Sequence, residues 1–278
     1  MTTKIVAILN LTPDSFSDGG QFNNVEFALQ HLAKILREGA DVIDVGAEST
    51  RPSATPVGFV EEWVRLEKIL PQVVAMVEKF NRDNSRQVEI SIDTYHALTA
   101  KRAYAVGVKI INDVSGLEND EMVEFIAQKN IKTVFMHSLC VPANPEIIVN
   151  RALNVTREIL QWGFAKIANL EKRGVKKSQL IFDPGIGFSK DAAQSLRIIK
   201  NIADFRALDL PIYVGHSKKS FLDALKIEGL SDNKESRAQK TIIISNYLSR
   251  KKIDFIRVHD VSENKKAIES KYNSPMTL

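Results

Sequence analysis

Residues 213–220 read Y-V-G-H-S-K-K-S, and residues 254–260 read D-F-I-R-V-H-D. Each is a short apolar run that breaks off into cationic and hydroxyl side chains. A run of this length without helical period reads as a buried strand, with its polar groups just past the carboxyl end. Two cation clusters at the ends of two neighbouring strands predict a site for an anion. Similar runs occupy 4–9, 41–45, 88–92, 108–111, 131–136, 179–183, 211–214 and 253–258, eight in all. Between them lie stretches of helical period, among them 25–37, 59–80, 94–105, 120–128, 150–173 and 236–250. Three of the helical stretches close on Gly39, Gly107 and Gly174, the expected left-handed stop. Eight strand–helix units over 278 residues predict an α/β protein, a closed (β/α)8 barrel of the TIM type. A doubly wound open sheet is the competing architecture, because periodicity does not report closure. No linker, repeat or low-complexity tract interrupts the pattern, so residues 1–278 read as one domain.

Composition excludes several classes of function. A hydrophobic content of 44% fills a large core, and the net charge of +4 is small on this length. Lysines such as Lys34, Lys68, Lys79, Lys166 and Lys172 are spread over helical faces, the pattern of a solvated surface and not of a nucleic-acid binder. The single cysteine, Cys140, precludes an internal disulfide, fits a reducing cytoplasm and reads as a small apolar filler. No apolar stretch reaches the ~18–20 residues of a membrane span. The opening M-T-T-K-I-V-A-I-L-N enters a strand at once, which leaves no room for a signal peptide. A soluble cytoplasmic protein is the expectation.

Barrels carry chemistry at the carboxyl ends of their strands. Here the eight strands end at Asn10, Asp44, Asp93, Asn112-Asp113, His137, Asp183, His216 through Ser220, and Arg257 with His259. One polar strand end is usually a cap or turn former, but eight at one rim, with Lys and Arg among them, exceed what capping explains. Residues 10–24 and 46–58 are longer than ordinary strand–helix connections and read as lids, with Phe16 in the first suited to closing over a flat ligand. Lys219, Arg51, Arg257 and His259 match phosphate or diphosphate oxygens. Asn10 offers a hard oxygen to a divalent ion such as Mg²⁺, completed by diphosphate and water. Asp93, Asn112 and Asp183 suit the edge of a heterocycle bearing N–H and amino donors.

Several stretches together resemble the dihydropteroate synthase family of folate biosynthesis. They are A-I-L-N-L-T-P-D-S-F-S-D-G-G (7–20), G-A-D-V-I-D-V-G-A-E-S-T-R-P (39–52), S-I-D-T-Y (91–95), I-I-N-D-V-S-G (110–116), F-D-P-G-I-G-F (182–188), S-K-K-S (217–220) and I-R-V-H-D-V (256–261). The resemblance implies a (β/α)8 barrel that condenses 6-hydroxymethyl-7,8-dihydropterin diphosphate with 4-aminobenzoate, releasing diphosphate and forming 7,8-dihydropteroate. It implies that Asn10 binds Mg²⁺ and that Thr50, Asp93, Asn112, Asp183 and Lys219 hold the pterin, with Met136 and Phe188 completing the substrate-binding set. Arg257 and His259 would grip the diphosphate, and Phe16, Arg51 and Pro52 would belong to loops that assemble around the aminobenzoate. Ser220 would meet the aminobenzoate carboxylate at the amino end of the helix after strand seven. Asp93, Asp183, Lys219, Arg257 and His259 are the implied catalytic residues, supporting a cationic pterin methylene and a departing diphosphate with no covalent enzyme intermediate. A homodimer through the late helices is also implied.

The chain departs from the family pattern in places. Ala47 and Ser53 stand where glycine is usual, and Lys218 replaces an arginine, keeping charge but losing a planar face. Met136-His137-Ser138 with L-C-V-P-A-N-P after it resembles the form found in fusions with a pterin pyrophosphokinase domain, a possible covalent partner. Two other readings stay open. A pterin-dependent methyltransferase domain would share Asp93, Asn112 and Asp183 but has no use for the first-lid motif or the Arg257/His259 pair. A non-catalytic pterin-binding paralogue would tolerate the changes at Ala47, Ser53 and Lys218.

Overall fold

The computed structural model describes residues 2–11, 21–47 and 57–270, with the side chains of 21–24 left aside. Eight parallel strands form one sheet: β1 (Lys4–Asn10), β2 (Val42–Gly46), β3 (Glu89–Asp93), β4 (Ile110–Asp113), β5 (Lys132–Met136), β6 (Leu180–Asp183), β7 (Tyr213–Gly215) and β8 (Phe255–Val258). Their order is β6-β5-β4-β3-β2-β1-β8-β7, and the ends meet through a parallel bridge, Phe182 to Ile212, with Phe182 N donating to Pro211 O at 2.9 Å. The sheet closes into a barrel, so the open-sheet alternative falls. Strand bounds agree with the sequence reading to within two residues at either end.

Helices α1 (Gln21–Glu38), α2 (Phe59–Leu66), α3 (Leu70–Asn84), α4 (Ala97–Ala105), α5 (Asp120–Gln128), α6 (Val155–Lys172), α7 (Ala192–Lys200), α8 (Arg237–Arg250) and α9 (Val261–Glu269) wrap the outside. The stretch 59–80, expected as one helix, is two. Pro71 lacks the N–H that would continue the α2 ladder, and it sits in the first turn of α3, where that donor is not needed. Gly39, Gly107 and Gly174 end their helices at positive φ of 96°, 111° and 88°, as the sequence predicts.

Alternation along the strands separates two cores and places the site. Val6, Val42, Ile110, Val134, Ile181, Tyr213 and Phe255 pack together as a plug inside the barrel. The opposite parity, for example Ile5, Ile43, Ile90, Ile111, Phe135, Phe182 and Ile256, packs outward against the helices. Counting in steps of two from the plug toward the carboxyl ends reaches Asn10, Asp44, Asn112, Met136, Asp183, Gly215 and Arg257, and Asp93 pairs with Asn112 across the ladder. The upper interior is polar above an apolar base.

The same parity sends Asp113, His137 and His216 away from the mouth, so the eight-residue rim expected from the sequence is a correction. Asp113 accepts from the backbone and hydroxyl of Ser115 at 2.7 and 2.6 Å and shapes a turn. His137 packs edge-on to Trp162 of α6 at 4.9 Å. His216 meets Ser245 Oγ of α8 at 2.9 Å. Burial drives its pKa down to about 4, so it adds no cation to the site.

Candidate active site

Arg257 and Asp44 form the base of the site. The guanidinium donates through Nε to Asp44 Oδ2 at 2.6 Å and through one Nη to Asp93 Oδ2 at 2.8 Å. Asp44 is wholly buried, and its Oδ2 also accepts from the amide nitrogen of Asn112 at 3.0 Å. Oδ1 of Asp93 is buried and has no hydrogen-bond partner among the described residues. A buried acceptor without a donor costs about 1–3 kcal/mol, which a ligand donor would recover. Burial, opposed by Arg257 and reinforced by the Asp44 charge, raises the Asp93 pKa to about 7.

Lys219 closes the opposite side. Its ammonium donates to Ile186 O at 2.5 Å and lies 4.5 Å from the centre of the Phe188 ring. Burial pulls its pKa down to about 8, against the attraction of Asp183. Asp183, also buried, accepts from Gly185 N at 2.7 Å and is pushed upward by burial against the pull of Lys219. Two cations therefore face three interior carboxylates, a balance suited to a ligand that is cationic or donor-rich on one side and anionic on the other.

The 213–220 and 254–260 stretches meet at the rim. Ser217 Oγ and His259 Nδ1 are 2.9 Å apart, and the His259 backbone N–H lies 3.3 Å from the same hydroxyl. Lys218 turns outward instead, in the left-handed region at φ 57°, with its amine 2.8 Å from Asp260 Oδ2. The segment after it is a five-residue 3₁₀ turn, Ser220–Ala224, shorter than the helix expected there. Its first N–H groups remain near Ser220, but a turn of this length adds little dipole. Ser220 lines a cavity of about 270 Å³ with Asn144, Ile148, Gly187, Lys190 and Phe221. A larger cleft of about 690 Å³, between α1 and α3 on the outer layer, is bordered by Leu29, Ala33 and Met76 and is lined by none of the described residues of the site.

The sequence predicts Asn10, Asp93, Asn112, Met136, Asp183, Lys219, Arg257 and His259 for the barrel mouth. In the structure all stand at the carboxyl ends of their strands or just beyond, and Phe188 stacks with Lys219. Phe16, Thr50, Arg51, Pro52 and Ser53 lie outside the described residues. Ala47 lies in the core with no exposure and without a positive φ, so its methyl fits an ordinary backbone. Cys140, half-buried, approaches Ser189 Oγ at 3.9 Å and accepts from Asn144 N at 3.4 Å.

Asp44 stands among the polar strand ends in the sequence reading but without a role, and Lys190 is not singled out at all. Asp44 is an ionisable group inside the apolar run V-I-D-V, which is itself a signal. Lys190 is buried, and its amine reaches His137 Nδ1 at 2.8 Å, His137 O at 2.9 Å and Phe188 O at 2.7 Å. It thereby ties the 185–190 turn to the end of β5. Burial lowers the Lys190 pKa well below that of a free lysine, and burial with the Lys190 charge holds His137 far below the usual imidazole value.

A barrel that carries a donor-reading acceptor set beside cations at its mouth matches the family described as pterin binding enzymes, whose pattern covers residues 6–259. The chain belongs to that family. It is 37% identical over 268 residues to a dihydropteroate synthase of Clostridium beijerinckii, covering 95% of this chain and 91% of that one. It is 33% identical to the Escherichia coli K12 dihydropteroate synthase, covering 95% of this chain and 89% of that one. A crystal structure of dihydropteroate synthase from Anaplasma phagocytophilum with bound 6-hydroxymethylpterin-monophosphate superposes at a TM-score of 0.84 with 35% identity, over 97% of this chain and 98% of that one. Within the family the chain stands with the dihydropteroate synthases, transferases of folate biosynthesis. It also matches a folate synthesis bifunctional protein of Chlamydia muridarum at 35% identity, spanning 96% of this chain and 58% of that protein.

Proposed function

We propose that the site joins 6-hydroxymethyl-7,8-dihydropterin diphosphate to 4-aminobenzoate, with Asp93, Asn112 and Asp183 reading the pterin. The observation that carries this assignment is the buried Asp93 Oδ1, an acceptor with no donor among the described residues, beside Asn112 and across the mouth from Asp183. A ring edge rich in N–H and NH₂ groups satisfies such a set; phosphate does not.

Asp93 and Asp183 then offset positive charge that spreads over the pterin as its methylene C–O bond breaks. Lys219, held by Ile186 O and the Phe188 ring, lies against the ring system on the Asp183 side. Arg257 at the end of β8, through the guanidinium nitrogen not bound to Asp44 or Asp93, and His259 just beyond the strand would meet the leaving diphosphate, and Ser217 orients the His259 ring through its Nδ1. The neutral aromatic amine needs positioning more than activation, and Ser220 beside the 270 Å³ cavity supplies an anchor for its carboxylate. The amine attacks the methylene carbon, diphosphate leaves with the bonding pair, and the amine proton passes to solvent. No enzyme atom enters a covalent bond.

Asn10 aligns with Gly46 and Asp93 across three neighbouring strands. A Cβ built on Gly46 would lie 3.6 Å from Asn10 Oδ1 and 3.7 Å from Asp93 Oδ2, so both oxygens border the same point of the barrel mouth. Among the described residues no cluster of three His, Cys, Asp or Glu side chains is arranged to hold a metal. Asp93 Oδ2 is taken by Arg257, so the amide oxygen of Asn10 is the oxygen that fits Mg²⁺, shared with the substrate diphosphate. When bound, the ion would screen the charge growing on the leaving group. Asn10 would contribute its amide oxygen to it.

Diphosphate release in the presence of pterin diphosphate and Mg²⁺ tests the reading. Release that depends on 4-aminobenzoate supports it; tight pterin binding without turnover would establish a binding paralogue instead. The reading extends to a cytoplasmic enzyme, in keeping with one unpaired cysteine and no described helix long and apolar enough to cross a membrane. It also extends to a homodimer through the late helices, where Phe164 of α6 is 51% exposed; sedimentation measures that directly.

A further inference from the structure

We infer that Asp44 is a specificity-determining positioning residue, which turns the Asn112 amide so that its carbonyl oxygen faces the ring edge. The inference rests on the proposed role of Asn112 at the pterin. Asp44 lies within β2, fully buried, in register with Ile8 of β1 and Ser91 of β3. It therefore sits below the ligand and touches it only through other side chains. Its Oδ2 takes Nε–H of Arg257 at 2.6 Å and the Asn112 side chain at 3.0 Å. Guanidinium Nε can only donate, so Oδ2 is an acceptor, and the atom of Asn112 facing it must be the NH₂. An inverted amide would set two oxygens against each other inside the barrel, where water cannot intervene.

The consequence is an edge of one polarity. With Nδ2 committed to Asp44, Asn112 offers Oδ1, which has no hydrogen bond among the described residues. Asp93 Oδ1 adds a second acceptor on the neighbouring strand. An amide is otherwise ambivalent and would accept rings with either donors or acceptors at this point. Asp44 removes that choice and selects heterocycles whose edge donates. Arg257 is fixed by the same oxygen, so one carboxylate sets both the reading edge and the guanidinium beneath it.

Steady-state kinetics on the full chain test this, with folding of each variant checked by circular dichroism. Asn112→Ala should raise the KM for pterin diphosphate at least tenfold. Asp44→Ala, which removes the shared acceptor, should raise it at least fivefold while the KM for 4-aminobenzoate stays within twofold. Asn112→Asp alone faces Asp44 with a second carboxylate and should lose pterin affinity more than tenfold. Combining it with Asp44→Asn restores one amide and one carboxylate with the acceptor still toward the ligand, and should recover at least threefold. That rescue is readable even if Asp44→Ala does not fold. If Asn112→Ala has no effect on pterin KM, the assignment of Asn112 fails and the inference falls with it. If Asn112→Ala has its effect but Asp44→Ala has none, or the Asn112→Asp/Asp44→Asn pair gives no rescue, the inference about Asp44 is overturned alone.

Discussion

Lys219→Ala separates the binding role of the S-K-K-S motif from its surface role. The Lys219 amine makes one charge-assisted bond to Ile186 O and a cation–π contact with Phe188, and it is the cation that most lowers the Asp183 pKa. Truncation leaves Asp183 with less compensation and removes a donor from the pterin. A hydrogen bond to a charged group is worth about 1.5–3 kcal/mol, or about 10- to 150-fold in affinity. Titration calorimetry with the pterin diphosphate should show a weakening in that interval, and kcat/KM should fall by a similar factor. Lys218→Ala is the control. It breaks only an exposed pair with Asp260, about 0–1 kcal/mol, and should leave pterin affinity within a few fold. If Lys218→Ala abolishes binding while Lys219→Ala leaves it intact, the assignment of this motif to the barrel mouth is refuted.

Further outcomes follow from the same geometry. The profile of kcat/KM against pH should be bell-shaped, rising as Asp93 ionises near 7 and falling as Lys219 loses its proton near 8; a flat profile from 6 to 9 contradicts those roles. Because the folded Asp93 pKa lies above its unfolded value of 3.8, its contribution to stability is present below about 4 and is lost as pH rises through about 7. Asp93→Asn should therefore raise Tm at pH 8 more than at pH 5 while depressing activity, as differential scanning calorimetry can measure. Gly185→Ala would place a Cβ 2.1 Å from His137 O at φ +70°, so thermal melting should show a clear loss of stability. The left-handed backbone alone accounts for about 1–2 kcal/mol of it. Chelation of divalent cations should suppress diphosphate release and leave Tm unchanged, since Asn10 shares the ion with substrate; a large fall in Tm would point to a structural metal.

The eight apolar runs, the helix-stopping glycines and the polar strand ends are local properties of the chain. They predict the barrel, its active rim and most of the residues there without reference to contacts. What they do not specify is which side of a strand each polar residue faces relative to the closed sheet. Asn112 and Asp113 are adjacent in sequence, yet one reads the interior and the other shapes a turn. His216 and Lys218 read as cations in the chain, but one is neutral against α8 and the other pairs with Asp260 on the surface. Asp44 reads as one more strand end until closure sets Arg257 and Asn112, 213 and 68 residues away, against the same oxygen. Local pattern determined the elements and marked their carboxyl ends as the candidate site. Closure of the barrel alone decided their partners, and through burial and neighbouring charge their protonation, because those depend on groups far apart in the chain.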